Sequence, residues 1–263
     1  MTLKEEPARH NSASRETITR KAPELLPPIR FATYLEASSL EQGKGKRGER
    51  SRLKLLAAGS RLLDRCNFQD LKIEDVCAEA GLAKGTFYIY AGSKDEFLRA
   101  LANAYCMFEL HTLPRPAASL TRFGRSRLWS HWYERTFASN VGILRCMVQM
   151  GASDAQMSAL WRKRNGDLVQ AMLADTVDLD ALVADDRNIV MWSLRTIGGM
   201  LDQSLFDRYG VQTPSGMEDP ADTDLIVELH AVFAYRALYG QDPPADEVQQ
   251  ADMLARLKTI FKV

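Results

Sequence analysis

Apolar residues recur at three- and four-residue steps along most of this chain, the spacing that gives a helix one buried face. From Arg50 onward Leu53, Leu56, Ala57, Ser60 and Leu63 follow that step and predict a first clear helix. Ile73, Val76, Cys77 and Ala80 predict a second helix of barely two turns, stopped by Gly81. After only Gly81 and Leu82, the run Ala83 to Tyr90 predicts a third short helix that ends near Gly92. Ser93-Lys94-Asp95-Glu96 then reads as a capping box, in which Ser93 and Glu96 satisfy each other's free N–H groups. It opens a longer helix over 93–109 with Phe97, Leu101, Ala104, Tyr105 and Phe108 on its apolar face.

Beyond Pro114 and Pro116 the helical period predicts elements near 117–138, 141–151, 154–177, 186–209 and 222–239, with a last one from about 245 to 261. The segments 210–221 and 240–244 are the clearest breaks. No strand-like alternation and no fixed repeat interrupts the pattern, so the expected fold is all-α. Ahead of it, residues 1–47 hold Pro7, Pro23, Pro27 and Pro28 and the run Gly43-Lys44-Gly45-Lys46-Arg47-Gly48, and they read as a flexible extension. Pro28 and Gly43 leave room between them for a short helix over Ile29 to Leu40.

A length of 263 residues suggests one large domain or two modest ones. Hydrophobic residues at 46% and charged residues at 26% exclude collagen-like, membrane and wholly disordered classes. Four cysteines without a CxxC pair and no leader-like opening make a reducing cytoplasm the expected compartment. The balance of 34 basic against 34 acidic residues conceals a polarity along the chain. Residues 44–65 carry eight Lys and Arg against Glu49 and Asp64, an excess of 8 − 2 = +6, while 111–263 carry 16 against 19, a net of −3. A molecule polarised in this way can meet DNA through one end.

Two short helices joined by a glycine-containing turn and flanked by longer ones form a helix-turn-helix, whose second helix enters the major groove. The segment Ile73-Glu74-Asp75-Val76-Cys77-Ala78-Glu79-Ala80-Gly81-Leu82-Ala83-Lys84-Gly85-Thr86-Phe87-Tyr88-Ile89-Tyr90, followed by Ser93-Lys94-Asp95-Glu96, resembles the TetR family signature, strongly over 48–108 and more loosely beyond. The resemblance implies that Lys84, Thr86, Tyr88, Tyr90 and Lys94 face DNA, chiefly its phosphates. Gly85 independently suits close approach of a phosphate to the helix backbone and its free N–H groups. Three positions depart from the family pattern: Lys72 in place of a capping Thr, Ala83 in place of a Ser, and Ala91 in place of an aromatic. Lysine accepts no N–H bond, so the second helix is capped by Asp70 or frays, while Lys72 is placed to meet a phosphate.

The implied architecture is a flexible 1–47, a DNA-binding three-helix head over 48–92, a connecting helix over 93–112, and a larger helical ligand-binding and dimerisation domain over 113–263. All four tryptophans and most methionines fall in that last part, which suits an apolar pocket between bundle helices. Trp129, Trp132, Met147, Met150, Trp161 and Trp192 are the candidate pocket residues, although each also reads as ordinary core. Helices near 186–209 and 222–239 look like the family's dimer-forming pair, with stripes Leu194, Ile197, Met200, Leu201, Leu205 and Ile226, Leu229, Val232, Phe233, Arg236. Two heads held about 34 Å apart would meet successive major grooves.

The expected activity is that of a repressor released from double-stranded operator DNA by a small apolar or aromatic effector, acting as a homodimer away from the membrane. The alternative is a DNA-binding regulator whose large domain recruits a protein partner instead. GxSxG, HExxH and phosphate-loop templates are absent and His and Cys spacing suits no zinc site, so no catalysis, cofactor or metal is expected. The formal GxGxxG of 43–48 has no preceding strand, which leaves a basic arm along DNA or a solvated linker. Asp185-Asp186 and Glu218-Asp219 read as solvated loop charge.

Overall fold

A computed structural model describes residues 30–41, 47–174, 177–210 and 223–261. Among the described residues the secondary structure is helical throughout: α1 Phe31–Glu41, α2 Arg47–Leu63, α3 Ile73–Ala80, α4 Lys84–Tyr90, α5 Lys94–Thr112, α6 Arg122–Ser139, α7 Val141–Gly151, α8 Ala155–Leu173, α9 Ala184–Tyr209, α10 Thr223–Tyr239 and α11 Ala251–Phe261.

The head, α2 to the first turns of α5, is built as its spacing predicts. Gly81 takes the left-handed conformation (φ 65°, ψ 37°) that lets its N–H and that of Leu82 close on the last carbonyls of α3. Phe87 is fully buried, with its ring 5.1 Å from that of Phe97, and these two rings hold α4 against α5. Ala91 is buried beside them, so the aromatic missing there leaves α4 packed. At Gly59 a Cβ would lie 2.7 Å from the Phe97 ring, so the close passage of α2 over α5 requires glycine. Ser93 accepts the Glu96 N–H at 3.1 Å, but the Glu96 carboxylate returns to the N–H of Gly92 (2.9 Å), a one-residue variant of the expected box.

Residues 31–41 are a docked helix and not part of a free extension. Phe31 is buried against Tyr105 and Phe108 of α5, at 5.3 and 5.2 Å between ring centroids, and its N–H donates to Asn140 Oδ1 at 2.7 Å. The packing surface comes from α2 and, some 70 to 110 positions away in sequence, from Tyr105, Phe108 and Asn140, which together supply what a short, weakly patterned helix lacks alone. Residues 1–29 and 42–46, including most of the glycine-lysine run, lie outside the described residues.

Head and body share one core. A continuous apolar cluster runs from Phe31 through Leu55, Phe97 and Leu101 to Met147, Leu168 and Leu205. At the junction α7 meets the end of α2 so closely that a Cβ on Gly142 would stand 2.5 Å from the Leu63 backbone. Arg145 donates to the carbonyls of Leu63 (2.8 Å) and Cys66 (3.3 Å), where the α2 dipole favours a cation. A second, smaller cluster seats α10 on α6 through Phe123, Ala231, Val232 and Tyr235. The acidic pair Asp185-Asp186 forms the first turn of α9, where negative charge suits the helix dipole; Glu218-Asp219 lies outside the described residues.

Candidate nucleic-acid interface and effector cavity

α3 and α4 leave one face open, and the backbone of α4 explains why. Phe87 points inward, so its neighbours Lys84, Gly85, Tyr88 and Ile89 are exposed. Tyr88 is 50% exposed and touches Phe87 only edge-on, at 5.6 Å and 81°. A Cβ built on Gly85 meets nothing within 4 Å, so this turn is bare backbone facing solvent. Thr86 is half-buried, and its N–H bonds Ala83 O at 2.8 Å. The Tyr90 ring packs against the core while its hydroxyl lies 3.2 Å from the Cβ position of Gly48, which brings the basic first turn of α2 beside the end of α4.

The three lysines differ. Lys72 is exposed at the N-cap of α3 and makes no cap bond there; Glu74 and Asp75 in the first turn place negative charge at the positive end of the helix. Lys84 Nζ pairs with Glu74 across the turn, and that carboxylate raises its pKa above the ordinary lysine value. Lys94 Nζ donates to the carbonyls of Phe68 (3.2 Å) and Gln69 (2.9 Å), so it staples α5 to the α2–α3 connection. Two arginines of the basic stretch point elsewhere: Arg61 bonds Glu79 (2.7 Å) and Glu36, and Arg65 bonds Glu79 (3.1 Å), tying α1, α2 and α3 together.

In the body, α6, α8, α9 and α10 wall a cavity of about 150 Å³. Of the six candidate pocket residues it brings in one, Trp129, whose Nε1 donates to Pro114 O at 3.3 Å. The other five stand elsewhere. Trp132, Met147 and Met150 are packed in the main core, Trp161 lies against that core under Arg164, and Trp192 is 66% exposed. Sequence spacing identified them as apolar without fixing which helix face they occupy. The walls are instead Leu168, Met172, Leu194 and Leu201 with Tyr133.

Polar groups close the inner end of the cavity. Arg164, fully buried, donates through Nε and Nη2 to the two oxygens of Glu109, each at 2.6 Å, and Nη2 also reaches the Tyr133 hydroxyl at 3.2 Å. Tyr133 in turn donates to Asp202. Burial pushes the carboxyls of Glu109 and Asp202 up, and the guanidinium between them opposes that shift. Arg164, Tyr133 and Asp202 line the cavity, whereas Glu109 belongs to α5, the helix that enters the head. A signal for this network is present in the sequence: Glu109 follows Tyr105 by one turn on the buried face of α5, and a carboxylate there requires a buried partner.

On α9 and α10 the predicted stripes divide. Ile197, Leu205 and Val232 are buried within the chain, Leu194 and Leu201 line the cavity, and Met200 and Phe233 face outward at 45% and 37% exposure. Ile189 and Trp192 extend the outward apolar stripe of α9 toward its N-terminus.

Residues 55–101 match the family described as bacterial regulatory proteins, tetR family. The HTH-type transcriptional regulator EthR of Mycobacterium tuberculosis, and the same protein of Mycobacterium bovis, are 26% identical over 137 residues, covering 49% of this chain and 63% of theirs. The chain thus matches less than two thirds of the length of these relatives. A candidate transcriptional regulator from Pseudomonas aeruginosa PAO1 aligns over 78% of this chain and 95% of its own at 14% identity, TM-score 0.47. A candidate TetR family protein from Vibrio parahaemolyticus aligns over 76% and 94% at 18% identity, TM-score 0.27. The signature that spans α3 and α4, the glycine-closed turn between them and the match over 55–101 agree, and the head of this chain is that of the bacterial regulatory proteins of the tetR family.

Proposed function

We propose that this protein is a transcriptional repressor that binds operator DNA as a homodimer and releases it when a small molecule occupies the α6/α8/α9/α10 cavity. The observation that carries the DNA reading is the bare turn at Gly85, set between the exposed Tyr88 and the basic start of α2. Backbone N–H groups at a helix start, an unshielded approach and hydroxyls one turn away are what a phosphate requires. Lys72, Thr86, Tyr88 and Tyr90 are assigned to this contact; Lys84 and Lys94 join it by exchanging or sharing their present partners with phosphate.

The outward stripe Ile189, Trp192, Met200 and Phe233 supports a second copy of the chain as the partner, since large apolar side chains aligned on one surface mark an interface. Release follows from the buried network. Arg164 lines the cavity and grips Glu109 on α5, so a molecule that shifts Arg164 shifts the helix whose N-terminus Ser93 caps in the head. The effector biases DNA binding only by the difference in its affinity for the two arrangements. No catalytic step enters this reading.

The test selects duplexes from a random library and compares Gly85→Ala with the parent. The expected result is a two-fold symmetric site, bound about five-fold or more weakly by Gly85→Ala, as loss of one close phosphate contact implies. Thermal stability should hold or rise slightly, because alanine is the better helix former and its methyl meets open space. Equal binding by Gly85→Ala, or no sequence preference at any salt concentration, would refute the interface.

A further inference from the structure

The mouth of the cavity points to the chemistry of its occupant, an inference that rests on the effector reading above. Arg122 and Arg125 lie in the first turn of α6 and line the cavity together with Arg195 of α9. A helix N-terminus already presents positive potential, so two arginines in its first turn are electrostatically misplaced unless an anion joins them. That turn holds no acidic residue. Arg122 stacks on the Tyr239 ring at 5.2 Å, Arg125 Nε donates to Leu120 O at 3.4 Å, and Arg195 donates to Arg162 O at 3.2 Å; none of the three has a carboxylate within ion-pair distance among the described residues. Glu247 at this end accepts the Thr121 hydroxyl and is not part of the cavity wall.

The opposite end is different. Arg164 is there, but two carboxylates satisfy its charge, so it offers no net positive site. Tyr133 lies eleven residues beyond Arg122, about 16 Å along α6 at 1.5 Å per residue. Between these ends the walls are apolar, with Trp129, Leu168, Met172 and Leu201. A volume of about 150 Å³ admits a body of roughly one aromatic ring, the size of molecule that an apolar cavity of that volume is known to hold.

We infer that the cavity takes a small apolar carboxylic acid in its ionised form: the ring or short chain lies against Trp129 and Leu168, and the carboxylate is held at the mouth by Arg122 and Arg125, with Arg195 adding positive potential. A guanidinium pair matches carboxylate geometry, and a partly desolvated ion pair discriminates strongly against a neutral isostere.

Calorimetry with the full-length protein tests this, using 4-phenylbutanoate, its primary amide and 4-phenylbutylamine as probes of one shape and three charges. The acid is expected to bind about ten-fold or more tightly than the amide, the amine not at all, and the preference should weaken with added salt. Arg122→Gln with Arg125→Gln should bring acid and amide to near-equal affinity, while Arg122→Lys with Arg125→Lys retains part of the preference. An amide that binds as tightly as the acid, or binding by none of the three, overturns the inference. Measuring each probe against bound duplex DNA separates the two claims. If acid and amide both release DNA equally, effector release survives without anion selectivity; if the acid is selected but DNA affinity does not change, the anion site stands and release fails.

Discussion

Phe87 in the head and Arg164 in the body occupy comparable places, each fully buried where several helices converge, yet one is a ring among apolar neighbours and the other a guanidinium between two carboxylates. The head keeps its charge outside and its core apolar, which suits the single rigid face that the proposed DNA contact requires. The body encloses ionised groups and leaves space beside them. Such an arrangement is sensitive to whatever enters, because breaking one partner of a buried ion pair strands the other. Under the proposed function, the contrast gives rigidity to the face that would meet DNA and susceptibility to the part that would take the effector.

The largest effect should come from breaking the body's centre. Arg164→Met leaves Glu109 buried without its counter-charge and should lower unfolding free energy by about 3–5 kcal/mol, whereas Arg164→Met combined with Glu109→Leu should recover most of the loss. Chemical denaturation of the three proteins checks this. A double variant as unstable as the single one would mean that the pair's geometry, and not its charge balance, supports α5 against α8.

How much of this was legible in the sequence depends on range. The helix-turn-helix was readable because its determinants are local: the step of Ile73, Val76 and Cys77, the left-handed Gly81 and the capping Ser93 all act within one or two turns. Helix α1 was not, since its weak apolar pattern becomes core only where it lies on α2 and Phe31 meets the distant Tyr105, Phe108 and Asn140. The cavity was half legible. Tryptophans and methionines marked the apolar domain, but rotation of each helix decided that Trp129 faces the space while Trp132, three residues on, faces the core. Glu109, Arg164 and Asp202 each interrupt an apolar stripe, and that interruption was the readable sign of the network.

A second test sharpens the contrast through pH. His230 on α10 is held neutral, its pKa lowered to about 4 by burial and by Arg208, with its Nε2 2.9 Å from Ser204 Oγ. Below the ordinary histidine value the unfolded chain takes up a proton that the folded chain refuses, so this group's contribution to stability is complete above pH 6.5 and falls away toward pH 4. The shift corresponds to about 3 kcal/mol at the acid end. His230→Gln should therefore flatten the dependence of unfolding free energy on pH between 6.5 and 4, an outcome that urea titrations at several pH values resolve. An unchanged slope would place the acid sensitivity of this window in the other histidine whose pKa burial lowers, His131.

The smallest effect tests the head, where local stability is sacrificed at the face assigned to DNA. Lys72 stands at the N-cap of α3 without capping it, next to a helix that begins with two acidic residues. Lys72→Asp supplies an acceptor for the free N–H groups and places negative charge at the positive end of the helix, which should raise stability by about 0.5–1 kcal/mol, less whatever repulsion Glu74 and Asp75 return. If Lys72 meets a phosphate, the same change must weaken DNA binding and reduce the salt slope of affinity by about one counterion. The two readouts move in opposite directions only if the lysine is kept there for DNA. A variant that gains stability and binds DNA as before would move Lys72 off the interface and leave the missing cap without a functional reason.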